Sequence, residues 1–182
     1  MIACGGDQGQ EVALKVAAGA ADFSQGNLKG GGSNGSFCGS PGPDSDIYGN
    51  VVSHCWDDGL EAEGSSRNAR IWDNYITQCM MMIGNAPASI GPLYIWRNVV
   101  ARSQSQPDAG GGNFLKMGFA DGENWMTGHQ YIFNNTLFRA DEWLPTGGLG
   151  GNRIVKHTIS RNNILHVRSA TTSISASSTK TA

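Results

Sequence analysis

A six-residue phrase recurs five times in this chain, and no other feature limits the fold as strongly. It reads Ile47-Tyr48-Gly49-Asn50-Val51-Val52, Ile71-Trp72-Asp73-Asn74-Tyr75-Ile76 and Ile95-Trp96-Arg97-Asn98-Val99-Val100. It returns as Ile132-Phe133-Asn134-Asn135-Thr136-Leu137 and as Ile159-Ser160-Arg161-Asn162-Asn163-Ile164. The shared pattern is Ile-x-x-Asn-x-(Val/Ile/Leu), with Asn at 50, 74, 98, 135 and 162 and steps of 24, 24, 37 and 27. Self-similarity at such a period means stacked units. A short repeat rich in Ile, Val and aromatics suits a pleated, half-buried surface, so each unit reads as one turn of a β-solenoid.

Side chains alternate along a strand, so Ile and the aliphatic residue five places on cannot share one face of a straight strand. A bend lies between them. Asn stands at that bend, and Asn tolerates the left-handed conformation of a sharp turn. Equivalent Asn residues would stack roughly 4.8 Å apart and bond one another's amides. Asn50, Asn74 and Asn98 are thus expected to form a ladder, with Ile47, Ile71 and Ile95 stacked inside.

The 182 residues suffice for one domain with a substantial core. Gly, at 26, is about twice usual, as many tight turns require. A net charge of −2 argues against nucleic acid or an anionic membrane as the main partner. No apolar segment approaches the roughly 20 residues of a membrane span. Met1 to Gly6 shows no signal peptide, which suggests a mature or truncated piece. Cys4, Cys38, Cys55 and Cys79 contain no Cys-x-x-Cys spacing. Cys55 and Cys79 are one repeat apart and should stack as small buried groups; a Cys4–Cys38 disulfide is a further option.

Three zones follow. Residues 1–45 lack the repeat; 11–18 fit either a short capping helix or a strand, and 24–45 read as loop. Residues 46–168 hold the array. Residues 169–182 read as a last weak strand over 172–176 and a frayed tail. A second strand lies between phrases, at 58–64, 81–85 and 113–118. Alternation turns Leu60, Ala62, Leu115 and Met117 inward, and Glu61, Glu63 and Lys116 outward, with Asn85 expected in the same outer file. The long step holds an insertion over 102–128, where solenoids place binding loops; near it stand Trp125 and His129. Asn34-Gly35-Ser36 and Asn134-Asn135-Thr136 match the glycosylation acceptor.

The phrases, together with Asp57-Asp58-Gly59-Leu60-Glu61-Ala62-Glu63-Gly64 and Gly91-Pro92-Leu93-Tyr94-Ile95-Trp96-Arg97-Asn98, resemble right-handed parallel β-helix proteins of the pectate-lyase-like superfamily over 46–168. The resemblance implies an all-β, right-handed parallel β-helix of about six turns, with a short N-terminal capping helix as an option. It also implies a secreted or periplasmic parent protein whose partner is a polysaccharide. In such enzymes a lyase removes the proton next to a uronate carboxylate, using a base and a charge-neutralising group. Lys116 is the candidate base. Asp57, Glu61 and Glu63 form an acidic patch suited to Ca²⁺. Arg97 and His129 are further candidates, and Asn85 and Trp125 would touch substrate. Trp56-Asp57-Asp58 resembles the paired-Asp segment of polygalacturonase-type hydrolases, but that family's Gly-His-Gly and Arg-x-Lys motifs are absent.

The expected function is therefore cleavage of an acidic polysaccharide in a groove on the strand that starts at Asp58, with lyase chemistry ahead of hydrolysis by Asp57 and Asp58. The remaining alternative is a non-catalytic carbohydrate-binding or structural solenoid. Trp72 and Trp96 share one place in the repeat, which favours packing.

Overall fold

The computed structural model describes residues 2–4, 10–12, 16–18, 43–55, 58–62, 67–85, 88, 90–103, 113–117, 128–139, 146–150, 157–167 and 173–175. All regular structure there is β; no helix occurs among the described residues. Strands β1 (Ile2–Cys4), β2 (Gln10–Val12) and β3 (Val16–Ala18) precede the array. Each phrase then splits into two short strands at its bend. The pairs are β4 (Ser45–Tyr48) with β5 (Val51–Ser53), β7 (Ala69–Trp72) with β8 (Tyr75–Cys79), and β10 (Leu93–Trp96) with β11 (Val99–Ser103). They continue as β13 (Gln130–Phe133) with β14 (Thr136–Arg139) and β16 (Thr158–Arg161) with β17 (Ile164–Val167). A third strand follows each pair: β6 (Asp58–Glu61), β9 (Met81–Gly84), β12 (Leu115–Lys116), β15 (Thr146–Gly150) and β18 (Ser173–Ser175).

The first, second and third strands of successive triplets line up in sheets A, B and C respectively. Within the array every pairing is parallel. Five triplets, each giving one strand to each sheet, are compatible with a parallel β-helix. β3 adds to the free edge of sheet A antiparallel to β4, with Val16 opposite Ile47. The 11–18 stretch, open between helix and strand in the sequence, is occupied by strand at both described ends, so a strand rather than a helix covers this edge.

Register explains the core. Ile47, Ile71, Ile95 and Ile132 are successive partners in sheet A, all buried. Val52, Ile76, Val100 and Leu137 do the same in sheet B, and Leu60, Ile83, Leu115 and Leu149 in sheet C. Parallel stacking puts like on like, so one apolar position per strand, repeated, fills the interior. Cys55 and Cys79 are buried free thiols; the Cys4–Cys38 pairing falls outside the described side chains.

The bend between sheets A and B carries the Asn ladder. The backbone N–H and the Nδ2 of Asn50 both donate to Asn74 Oδ1, at 3.1 and 2.8 Å. Asn74 repeats this to Asn98, and Asn98 to Asn135. From Asn74 onward each Nδ2 also reaches back to the previous rung, as Asn98 does to the Ile71 carbonyl at 3.0 Å. Two details differ from expectation. The left-handed residue is the one before each ladder Asn: Gly49, Asp73, Arg97, Asn134 and Asn162 have φ of 54–63°. The fifth rung is Asn163, not Asn162, because β16 pairs with Ser160 opposite Ile132; Asn135 donates to Asn163 Oδ1 at 3.0 and 2.9 Å. The Asn162-Asn163 doublet satisfies the pattern in either register, and hydrogen bonding selects the second.

Candidate active site

Sheet C departs from uniformity. Its register sets Glu61, Gly84, Lys116 and Gly150 in one column. Gly84, without a side chain, leaves room that its neighbours fill. A Cβ built there would collide with the Asp58 carboxylate and lie 3.0 Å from Glu61 Oε2. Lys116, one rung further on, extends across this gap and sets its Nζ 2.5 Å from Asp58 Oδ2. Asp58 is fully buried, Glu61 is buried, and the Lys116 side chain is 23 % exposed. Two carboxylates and an ammonium thus converge on one glycine. A carboxylate removed from water is costly unless paired, and the Lys116 charge offsets that cost for Asp58.

Glu61 and Lys116 therefore share a sheet and a column, as expected, but only Lys116 reaches solvent: Glu61, expected to face outward, is buried. Asn85 does not join them. Gly84 holds its place in the column, and Asn85 is buried, donating from Nδ2 to Gln130 Oε1 at 2.5 Å. The register sets Asn85 level with Ala62 and Met117, the inward positions, so alternation from Gly84 itself carries Asn85 inside. Arg97 occupies a left-handed corner between sheets A and B, and its exposed guanidinium faces Asp73 at 3.6 Å. His129 stands before β13, its ring against Tyr131 and beside His157. Neither belongs to the cluster at Gly84. Asp57, Glu63 and Trp125 lie outside the described residues. Among the described residues no group of three His, Cys, Asp or Glu side chains is placed to hold a metal. Gly84 is the member that sequence reasoning missed; its position in the repeat, level with Glu61, was the signal.

The tryptophans of the phrase sit on the outer face of sheet A. Tyr48, Trp72, Trp96 and Phe133 form a continuous stack, with centroids 4.4, 5.7 and 5.8 Å apart and planes within 9° of parallel. Each inner ring has its faces covered by its neighbours, so the file presents edges outward. Sugar stacking uses faces, and the file therefore serves packing. Beside it, Arg70 Nε and Nη2 grip the two Asp46 oxygens at 2.7 Å each, and Trp72 Nε1 donates to Oδ1 at 3.0 Å. The Arg70 hydrogen bonds hold the Asp46 carboxyl below the usual range, helped by Trp72 and opposed by partial burial.

No protein-family model, curated protein or solved structure matches this chain.

Proposed function

We propose that this protein binds an acidic polysaccharide along the outer face of sheet C and cleaves it by β-elimination. The observation that carries this reading is the convergence of Lys116, Asp58 and Glu61 at Gly84. It is supported by the triplet coil and Asn ladder, which fit the right-handed parallel β-helix of the pectate-lyase-like superfamily; crossovers between parallel strands are right-handed in nearly all folds. Enzymes of that kind work outside the cell, which suits a secreted or periplasmic parent protein.

The ammonium–carboxylate pair favours the charged Lys116, whereas a base needs the free amine. The same short contact offers the remedy. Transfer of one proton from Lys116 Nζ to Asp58 Oδ2 leaves an amine and a carboxylic acid, a neutral pair suited to a buried site. The amine then takes the proton next to the uronate carboxylate, the carbon–carbon double bond forms, and the glycosidic C–O bond breaks. The departing oxygen takes a proton, for which the Asp58 acid is a donor in the same cluster. A uronate near Glu61 needs its charge balanced. Calcium held by Glu61 with Asp57 and Glu63 is the proposed means, and a chelator tests it; no step above runs through it.

A second reading is favoured by the covered aromatic faces and by the Lys116–Asp58 pair itself, which fills a gap as a structural ion pair would. In it the solenoid is non-catalytic. The test separates them. Polyuronates are incubated with the protein and the ultraviolet absorbance of the unsaturated product is followed. Lys116→Met leaves Asp58 buried without its ammonium, so it should lose activity and also stability. The double variant Lys116→Met/Asp58→Asn removes both charges and should regain much of the stability while remaining inactive. A folded double variant that still forms product would sink the lyase assignment. Absence of product from every polyuronate would leave the non-catalytic solenoid. Hydrolysis by Asp57 and Asp58 would yield saturated ends and fail in Asp57→Asn.

A further inference from the structure

The geometry points to a surface site for a divalent transition-metal ion at His129 and His157, a pair the proposed chemistry does not use. The two residues immediately precede Gln130 and Thr158, which are direct partners in the parallel pairing of β13 and β16. The Gln130 N–H donates to the His157 carbonyl at 2.9 Å, which locks the two positions side by side. Both side chains are exposed. Their ring centroids are 5.0 Å apart with planes at 50°.

That tilt separates this pair from the aromatic file. The file's rings lie within 9° of parallel and cover each other's faces. At 50° neither ring covers the other's face, which leaves ring nitrogens of both free to turn toward one shared ion. Imidazole nitrogen binds Zn²⁺, Ni²⁺ and Cu²⁺ at roughly 2.0–2.1 Å, so two rings on one ion must converge edge-on. Tyr131 lies under His129, with centroids 6.4 Å apart and planes within 18°, and limits how that ring can turn. Exposure leaves the remaining coordination positions to water or to a ligand from solution. The ion would clip the fourth triplet to the fifth.

The full chain is titrated with Cu²⁺, Ni²⁺ and Zn²⁺ in competition with a chromophoric chelator. One equivalent should bind, Cu²⁺ most tightly. Loss of a direct ligand should cost at least the lower end of the roughly 10–100-fold effect typical of an outer-shell partner, so His129→Ala and His157→Ala should each weaken binding by roughly tenfold or more. His54, bonded to Ser53, and His166, against Phe138, lie elsewhere; His166→Ala should leave the affinity unchanged. The Cu²⁺ form should show an electron paramagnetic resonance spectrum with two coupled nitrogens, reduced to one in either single variant. Far-ultraviolet circular dichroism checks that the variants fold. No saturable binding, or binding that survives His129→Ala and His157→Ala, would overturn the site.

Discussion

The corner between sheets A and B and the column through Gly84 are built from the same coil, yet they treat repetition in opposite ways. At the corner every rung places the same amide, and each bonds the next. In the column the rungs read acid, glycine, base, glycine. Uniform rows are what a parallel stack needs to satisfy its own backbone. A row that changes at each rung and gathers charge has no such internal reason, and there the search for chemistry belongs.

Substitution can break that contrast. The largest effect should come from Asn98→Ala. It removes the acceptor of the Asn74 N–H and Nδ2 and the donor to Ile71 and Asn135, all in the interior. Each buried polar group left unsatisfied costs about 1–3 kcal/mol, so a loss of roughly 3–5 kcal/mol is expected in urea unfolding. Asn162→Gly, one residue from the ladder at a left-handed exposed corner, should change stability by about 0.5 kcal/mol or less. Equal losses in the two variants would mean that the amide row is not what holds the corner.

Gly84→Ala sharpens the other side of the comparison. The new methyl group must displace the Asp58 carboxylate, and overpacking of this kind costs about 1–3 kcal/mol. Lys116 would lose its partner's position, so the variant should also lose any polyuronate cleavage. Wild-type turnover in Gly84→Ala would show that the cluster is not the reacting centre.

A smaller effect than at the ladder or the column belongs to sheet A. The Asp46 carboxyl titrates below its ordinary value because Arg70 binds the charged form. Its contribution to stability is therefore complete above the unfolded Asp value near pH 3.9 or so, and fades as pH falls below that through the folded value. Asp46→Asn should cost about 1 kcal/mol at neutral pH and flatten this acid limb of the urea midpoint. An unchanged limb would remove the pair from the account.

Much of the corner was legible because its periodicity is explicit: Ile, then Asn three places on, with a 24-residue step, leaves few ways to stack. It slipped by one residue where two asparagines stand together, since composition cannot choose between them and a backbone hydrogen bond can. The column was legible at its ends, Glu61 and Lys116, by simple alternation. Its centre was not, for a glycine announces nothing about the side chains that lean into its space. Asn85 stands one place out of the expected register: it is level with Ala62, and the alternation that turns Ala62 inward buries it too.

The antiparallel pairing of β3 with β4 has a consequence for how such molecules behave together. Parallel rungs are interchangeable, so a bare end would accept the end of another copy as its next rung and the stack could grow without limit. A reversed strand changes the spacing and slant of the hydrogen bonds offered at that edge. It gives sheet A a terminus with a different grammar from its interior, and so sets the length of the stack at that end.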